Sequence, residues 1–285
     1  MAQWFRKPED AAPRGDEAPK LREQDDLLGQ AAVVTGSTSG IGLALARALA
    51  ARGCDVVLNG LGDPSEIERT RAELEAVTGR KVRYHGADMR RGDEVADLIA
   101  YARHELGRLD ILVNNAGIQH VEAVEKFPAD QWERIIAVNL SSAFYATRAA
   151  VPIMKAQGRG RIVNVASVHG LVASPFKSAY VAAKHGIIGL TKTVALEVAE
   201  HGVTCNAICP GYVMTPIVQA QLADQARTRG ISEDEVIRTV MLAAQPTKRF
   251  VTVEEIAGLF LYLVSDAGAS ANGQAYAIDG GWTAQ

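Results

Sequence analysis

From residue 29 onward, short unbroken apolar runs alternate with longer stretches whose apolar positions recur at helical spacing. The run "QAAVVTG" (30–36) predicts a strand, "IGLALARALAARG" (41–53) a helix stopped at Gly53, and "CDVVLNG" (54–60) a second strand. A polar-faced helix follows over 64–79, with Pro64 at its start. Further strands are expected at 81–88, 109–117, 160–167 and 202–211, with helices between them at about 92–106, 130–157 and 178–200. A helix at about 253–265 and a final strand at 273–281 complete the alternation. Strands separated by helices imply parallel βαβ units. Strand cores as apolar as "ILV" and "IVNV" suit a sheet covered on both faces. The expected fold is α/β, a doubly wound parallel sheet in a single domain over 29–285. Residues 213–250 interrupt the rhythm with a polar, Gln-containing, helical pattern, which reads as a substrate lid over the carboxyl edge of the sheet. Residues 1–28, rich in Pro and mixed charge, read as a disordered or loosely packed N-terminal extension.

Composition narrows the classes of function. Apolar residues make up 48% of the 285 positions, enough for a sizeable core, and the net charge of −3 offers no basic field for a phosphate backbone. No nucleic acid is expected as a partner. No apolar run approaches the length of a membrane span, and the N-terminus lacks an apolar signal core, so no membrane partner is expected. Cys54, Cys205 and Cys209 are too few and too scattered for a disulfide framework, and no metal site is expected. A cytoplasmic location fits this pattern.

Candidate chemistry begins at the first strand–helix junction, "TGSTSGIG". Gly36, Gly40 and Gly42, with Thr38, Ser39 and Ile41 among them, would let a pyrophosphate approach backbone N–H groups at a helix N-terminus. At the fourth strand "NNAG" places Asn114, Asn115, Ala116 and Gly117 beside the same dinucleotide, and Asp88 follows the third strand at the adenine edge. The second strand runs into "LNGLGD" (58–63) with neither an acid nor a cation at its tip, which favours NAD by the absence of a partner for a ribose phosphate.

Tyr180 and Lys184 lie four residues apart on one helical face, and an adjacent ammonium lowers a phenol's pKa. Ser167 ends the preceding strand and could hydrogen-bond a substrate oxygen; Asn139 could anchor a water leading from Lys184 to solvent. Over 29–285 these motifs resemble the short-chain dehydrogenase/reductase family, through "TGSTSGIG", "NNAG", Asn139, Ser167, "YVAAK" (180–184) and "PG" at 210–211. The resemblance implies a Rossmann fold, usually a homotetramer, and hydride transfer to or from a nicotinamide. In that reading Tyr180 is the acid/base and Ser167 steadies the carbonyl. Lys184 holds the ribose and tunes Tyr180, Asn139 completes the set, and Pro210, Gly211, Val213 and Thr215 contact the nicotinamide side.

Between Ser167 and Tyr180 lie His169 and Lys177, with Gln119 after "NNAGI" and Gln219 and Gln221 at the start of the lid. One cation with several neutral donors suits a small carboxylate. Longer stretches, among them "SVHGLVASPFKSAYVAAKHG" and "CPGYVMTP", resemble those family members that interconvert (R)-3-hydroxybutyrate and acetoacetate with NAD. That resemblance implies a carboxylate held by Gln119, His169, Lys177 and Gln221, with Tyr212 and Trp282 at the methyl end. Alternatives are an NADPH-dependent 3-oxoacyl thioester reductase, another short-chain dehydrogenase, or a cofactor-binding regulator without catalysis.

Overall fold

The computed structural model describes residues 26–215, 218, 219, 222, 226, 227 and 230–284. Among them, seven strands form one parallel sheet: β1 (Ala31–Val34), β2 (Asp55–Asn59), β3 (Val82–His85), β4 (Ile111–Asn114), β5 (Gly160–Val165), β6 (Val203–Pro210) and β7 (Ala275–Ile278). Their order across the sheet is β3-β2-β1-β4-β5-β6-β7. Parallel neighbours need crossovers, and helices supply them: α1 (Gly40–Ala51), α2 (Pro64–Thr78), α3 (Gly92–Leu106), α4 (Ala129–Ile136), α5 (Ser142–Gln157) and α6 (Ser178–Val198). The short α7 (Glu233–Val236) and then α8 (Val253–Val264) lie between β6 and β7.

Strand side chains alternate between two cores, as the period of two requires. Val34, Ile111, Val113 and Val163 bury toward α1 and α8 with Leu45, Leu49 and Phe260. Val33, Val57, Leu112 and Ile162 bury on the other face with Leu98 and Ile99 of α3, Met154 of α5 and Val194 of α6. Both faces are therefore apolar, which explains the continuous apolar strand runs. Local signals fix the helix ends. Asp63 caps α2 by accepting from Ser65 and Glu66 N–H at 2.9 and 3.0 Å, and Thr252 and Glu255 form a reciprocal capping box at the start of α8.

Two expectations change. The helix anticipated over 130–157 is α4 and α5 separated by a π-helical turn at Ala137–Ser141. In that turn the Asn139 amide makes two hydrogen bonds to the backbone of Ile118, a tertiary pull that helical periodicity does not register. Packing also reaches into the stretch assigned to the extension. Leu27 is buried in the α1 core, its N–H donates to Arg52 O, and Asp26 pairs with Arg52. Residues 1–25 lie outside the described residues.

The 213–250 stretch starts and ends at one place, since Val213 bridges Val251. Its described parts are helical at α7, followed by a π-helical turn at Ile237–Met241. Leu222, Val236 and Met241 bury together there against Tyr212 and Val218.

Candidate active site

The sheet order reverses between β1 and β4, and the turns leaving their carboxyl ends meet there, as ligand crevices in such sheets do. Thr35 Oγ1 accepts N–H from Asn115 and Ala116, and Asn115 Nδ2 donates to Thr35 O and Gly36 O, both at 2.9 Å. A side chain at Gly36, where φ is +61°, would stand 2.8 Å from Ala116 Cα. Gly42 lies behind this turn and does not line the crevice. A Cβ there would fall 2.3 Å from Gly36 O, so its role is to let α1 close on the turn, a correction to its assignment as a cofactor contact. The first turn of α1 has no side-chain cap and no acidic residue, so its N–H groups and positive dipole end face the crevice bare. These features fit a dinucleotide pyrophosphate.

Beyond them extends one cavity of about 480 Å³. Gly36, Thr38, Ser39, Gly40 and Ile41 line one wall, with Asn115, Ala116 and Gly117 facing them. At one end, beyond the tips of β2 and β3, stand Asp88, Leu61 and Arg90. Arg90 grips the Asp88 carboxylate through Nε and Nη2, and this holds Asp88 below the usual carboxylate range. Asn59, buried at the tip of β2, donates to His85 O and Ala87 O and accepts from Gly36 N–H, so β2, β3 and the glycine turn share one anchor. Asn114 turns away from the cavity, its amide donating to Asn164 Oδ1 and Thr147 Oγ1 inside the sheet; of the Asn pair, only Asn115 lines the cavity.

At the centre, α6 presents Tyr180 and Lys184 one turn apart, opposite Ser167 at the end of β5. The Ser167 hydroxyl stands beside the Tyr180 phenol and acts to lower its pKa. Lys184 is buried, donates to Val165 O at 2.7 Å and sits 5.6 Å from the Tyr180 ring centroid. Burial pushes Lys184 down to about 8 and raises the phenol, while the Ser167 hydroxyl pulls the phenol the other way. The lowering expected from Lys184 is not among the causes acting on the phenol; desolvation, which both groups share, dominates. Asn139 is not among the residues lining the cavity; its side-chain amide makes two hydrogen bonds to the backbone of Ile118.

Toward the other end stand Gln119, His169, Lys177, Tyr212 and Trp282. Gln119 Nε2 and His169 Nδ1 are buried without hydrogen-bond partners. His169 packs edge-on against Trp282 at 5.3 Å and Tyr180 at 6.4 Å. Burial, and then the Lys177 charge, depress it to about 4. Lys177 Nζ lies 5.6 Å from the centroid of the Tyr212 ring, which stacks on Trp282 at 5.6 Å and 24°. Pro210, Gly211, Val213 and Thr215 line the cavity between this end and the glycine turn. Gln221 lies outside the described residues, and Gln219 is exposed and off the cavity wall.

A family model described as short chain dehydrogenase matches residues 30–226. The chain belongs to the short-chain dehydrogenase family. It is 61% identical over 254 residues to a D-beta-hydroxybutyrate dehydrogenase of Rhizobium meliloti, covering 89% of this chain and 98% of the relative. A protein of the same description from Cupriavidus necator is 53% identical, covering 91% of this chain and all of the relative. Among solved structures, a putative short-chain alcohol dehydrogenase of Sinorhizobium meliloti superposes with a TM-score of 0.81 at 37% identity, covering 91% of this chain and 98% of that one. As a short-chain dehydrogenase the protein is an oxidoreductase that uses a nicotinamide cofactor.

In this short-chain dehydrogenase the cavity also recruits residues that the motifs did not single out: Asn59, Leu61, Met89, Arg90, Arg134 and Val138. Asn59 had a visible signal, an amide at the end of an otherwise apolar strand. Arg90 and Arg134 had none, because only the pairing of β2 with β3 and the placement of α4 bring them to the rim. Among the described residues, no cluster of His, Cys, Asp and Glu could hold a metal ion. No helix there is long and apolar enough to cross a membrane.

Proposed function

We propose that the protein interconverts (R)-3-hydroxybutyrate and acetoacetate with NAD, and that the assigned side chains act as follows. Lys177, His169 and Gln119 receive the carboxylate, and Tyr180 takes or gives the proton of the C3 oxygen. Ser167 holds that oxygen, and Tyr212 with Trp282 flanks the methyl end. When bound, the nicotinamide accepts or returns the hydride of C3. The observation that carries this reading is the gathering of one ammonium and two unpartnered buried polar atoms at the end of the cavity that also holds Tyr180. Buried polar groups without partners are costly, and a small anion would satisfy them. A carboxylate fixed there leaves a short hydroxy acid its alcohol near the phenol. The relatives described as D-beta-hydroxybutyrate dehydrogenases support the same substrate.

Preference for NAD is supported at the adenine end, where Leu61 follows β2 and the Arg90 guanidinium is committed to Asp88. We further propose a homotetramer, from family resemblance, and a cytoplasmic location, for which three free buried cysteines are suitable. The deciding experiment follows reduced-nicotinamide absorbance with NAD⁺ or NADP⁺ and each enantiomer of 3-hydroxybutyrate. Turnover of the (R) acid with NAD⁺ is expected. Faster reduction of a 3-oxoacyl thioester with NADPH would instead identify the alternative reductase.

A further inference from the structure

We propose that Gln245 is a positioning residue for the substrate end of the site, joining the Tyr212 backbone to the returning end of the 213–250 segment and so holding the Tyr212–Trp282 wall. It rests on the reading that this wall meets the hydroxy acid. Gln245 is fully buried at a point where three stretches of chain converge. Its Oε1 accepts the Tyr212 N–H at 2.6 Å, and its Nε2 donates to Arg249 O at 2.7 Å. Val251 N–H returns a bond to Tyr212 O at 2.9 Å, so Tyr212 is held by its N–H and its carbonyl from one segment. Gly211 is what admits the amide, since a Cβ there would stand 2.6 Å from Gln245 Oε1. The third stretch is the turn that carries Trp282: Thr247 N–H donates to Gly280 O, and a Cβ at Gly280 would lie 3.4 Å from Gln245 Nε2.

A side chain of the same length without an amide removes the partner that Gln245 gives to the Tyr212 N–H and to the Arg249 carbonyl. Gln245→Met is therefore expected to free the wall. The KM for (R)-3-hydroxybutyrate should rise about tenfold, the order of effect of losing the bond to the Tyr212 N–H, while kcat and the KM for NAD⁺ stay within about twofold. The near-ultraviolet circular dichroism of the stacked Tyr212–Trp282 pair, identified by its loss in Trp282→Phe, should fall in the same variant. Gln245→Glu tests the bonds themselves. Buried and protonated, a carboxyl can both accept from Tyr212 and donate to Arg249. This variant should match the native KM at mildly acid pH and drift toward the Met variant as pH rises, beyond any drift of the native enzyme with its nearby Asp279, Lys248 and Arg249. A native KM in Gln245→Met, or equal losses in kcat and both KM values, overturns the proposal. Should the Met variant fail to fold, a Glu variant without the pH drift overturns it equally. The dichroism needs no substrate. An altered signal in Gln245→Met together with no native turnover of 3-hydroxybutyrate refutes the substrate reading and leaves the positioning of the wall supported; an unaltered signal refutes the positioning itself.

Discussion

At Tyr180 burial and the Ser167 hydroxyl oppose each other, and burial prevails, so the phenol keeps its proton at neutral pH. A protonated phenol is suited to giving its proton to a carbonyl; taking one from an alcohol requires ionisation first. Alcohol oxidation should therefore accelerate as pH rises from neutral, and carbonyl reduction should not, which initial rates in both directions will measure. Tyr180→Phe should lower turnover by a factor on the order of 10² to 10⁴ with dinucleotide binding retained, as read by fluorescence titration. Lys177→Ala removes a charged donor while leaving Tyr180 in place. The KM for a carboxylate substrate should rise by about ten- to a hundredfold with kcat little changed. His169 adds a stability signature. In the unfolded chain it takes up a proton near 6.5, but in the fold only near 4. Unfolded molecules thus bind more protons across that window, and stability falls as pH drops through it. Relative to the native chain, His169→Gln should gain up to about 3 kcal/mol between pH 7 and pH 4 in urea unfolding. Tyr180, Lys184 and Ser167 were legible because their chemistry is written in spacing. The orphaned state of Gln119 and His169 was not, since it depends on which backbone groups come near them after folding.

On the level of elements, turn chemistry and periodicity located every strand and the main helices to within a few residues. The π-helical turn at Ala137–Ser141 escaped because "AVNLS" continues a helical pattern and only the bonds to Ile118 distinguish it. The segments that carry Gln119 and Lys177 are tied by Glu122 N–H donating to Phe176 O at 2.9 Å, with Phe176 in the left-handed region at φ +65°. Such a conformation is uncommon outside glycine and no residue pattern foretells it. Element junctions differ in what they serve, and two substitutions separate them. Gly42→Ala drives a methyl against the carbonyl of Gly36, so it should cost about 1–3 kcal/mol and weaken dinucleotide binding. Thr252→Ala removes the cap of α8, far from the glycine turn; about 1 kcal/mol of stability should be lost with dinucleotide binding little changed. Urea midpoints paired with initial rates check both.

For the whole molecule, the sheet order makes the site. Cavity walls come from residues as distant as Gly36 and Trp282, gathered because the strands run outward in both directions from the β1–β4 boundary. The parallel doubly wound class followed from the alternation of elements. Its strand order was not legible, because periodicity says what an element is and not which neighbour it pairs with. A dinucleotide that binds the folded chain alone should add about 2.7 kcal/mol to stability at a hundred times its dissociation constant, read as a shift in the denaturation midpoint. The junction at Thr35, Gly36, Asn115 and Ala116 has one more effect. It is the seam between two half-sheets, fastened by the Thr35 hydroxyl and the Asn115 amide and further tied by Thr35 N–H to Val113 O. A ligand lying across it touches both halves at once, so any breathing motion that parts the halves must first expel the ligand. Occupancy should therefore slow amide hydrogen exchange at Thr35 and Asn115 more than at the outer edge strands, and the enzyme at work becomes stiffest along the line where its two halves were joined.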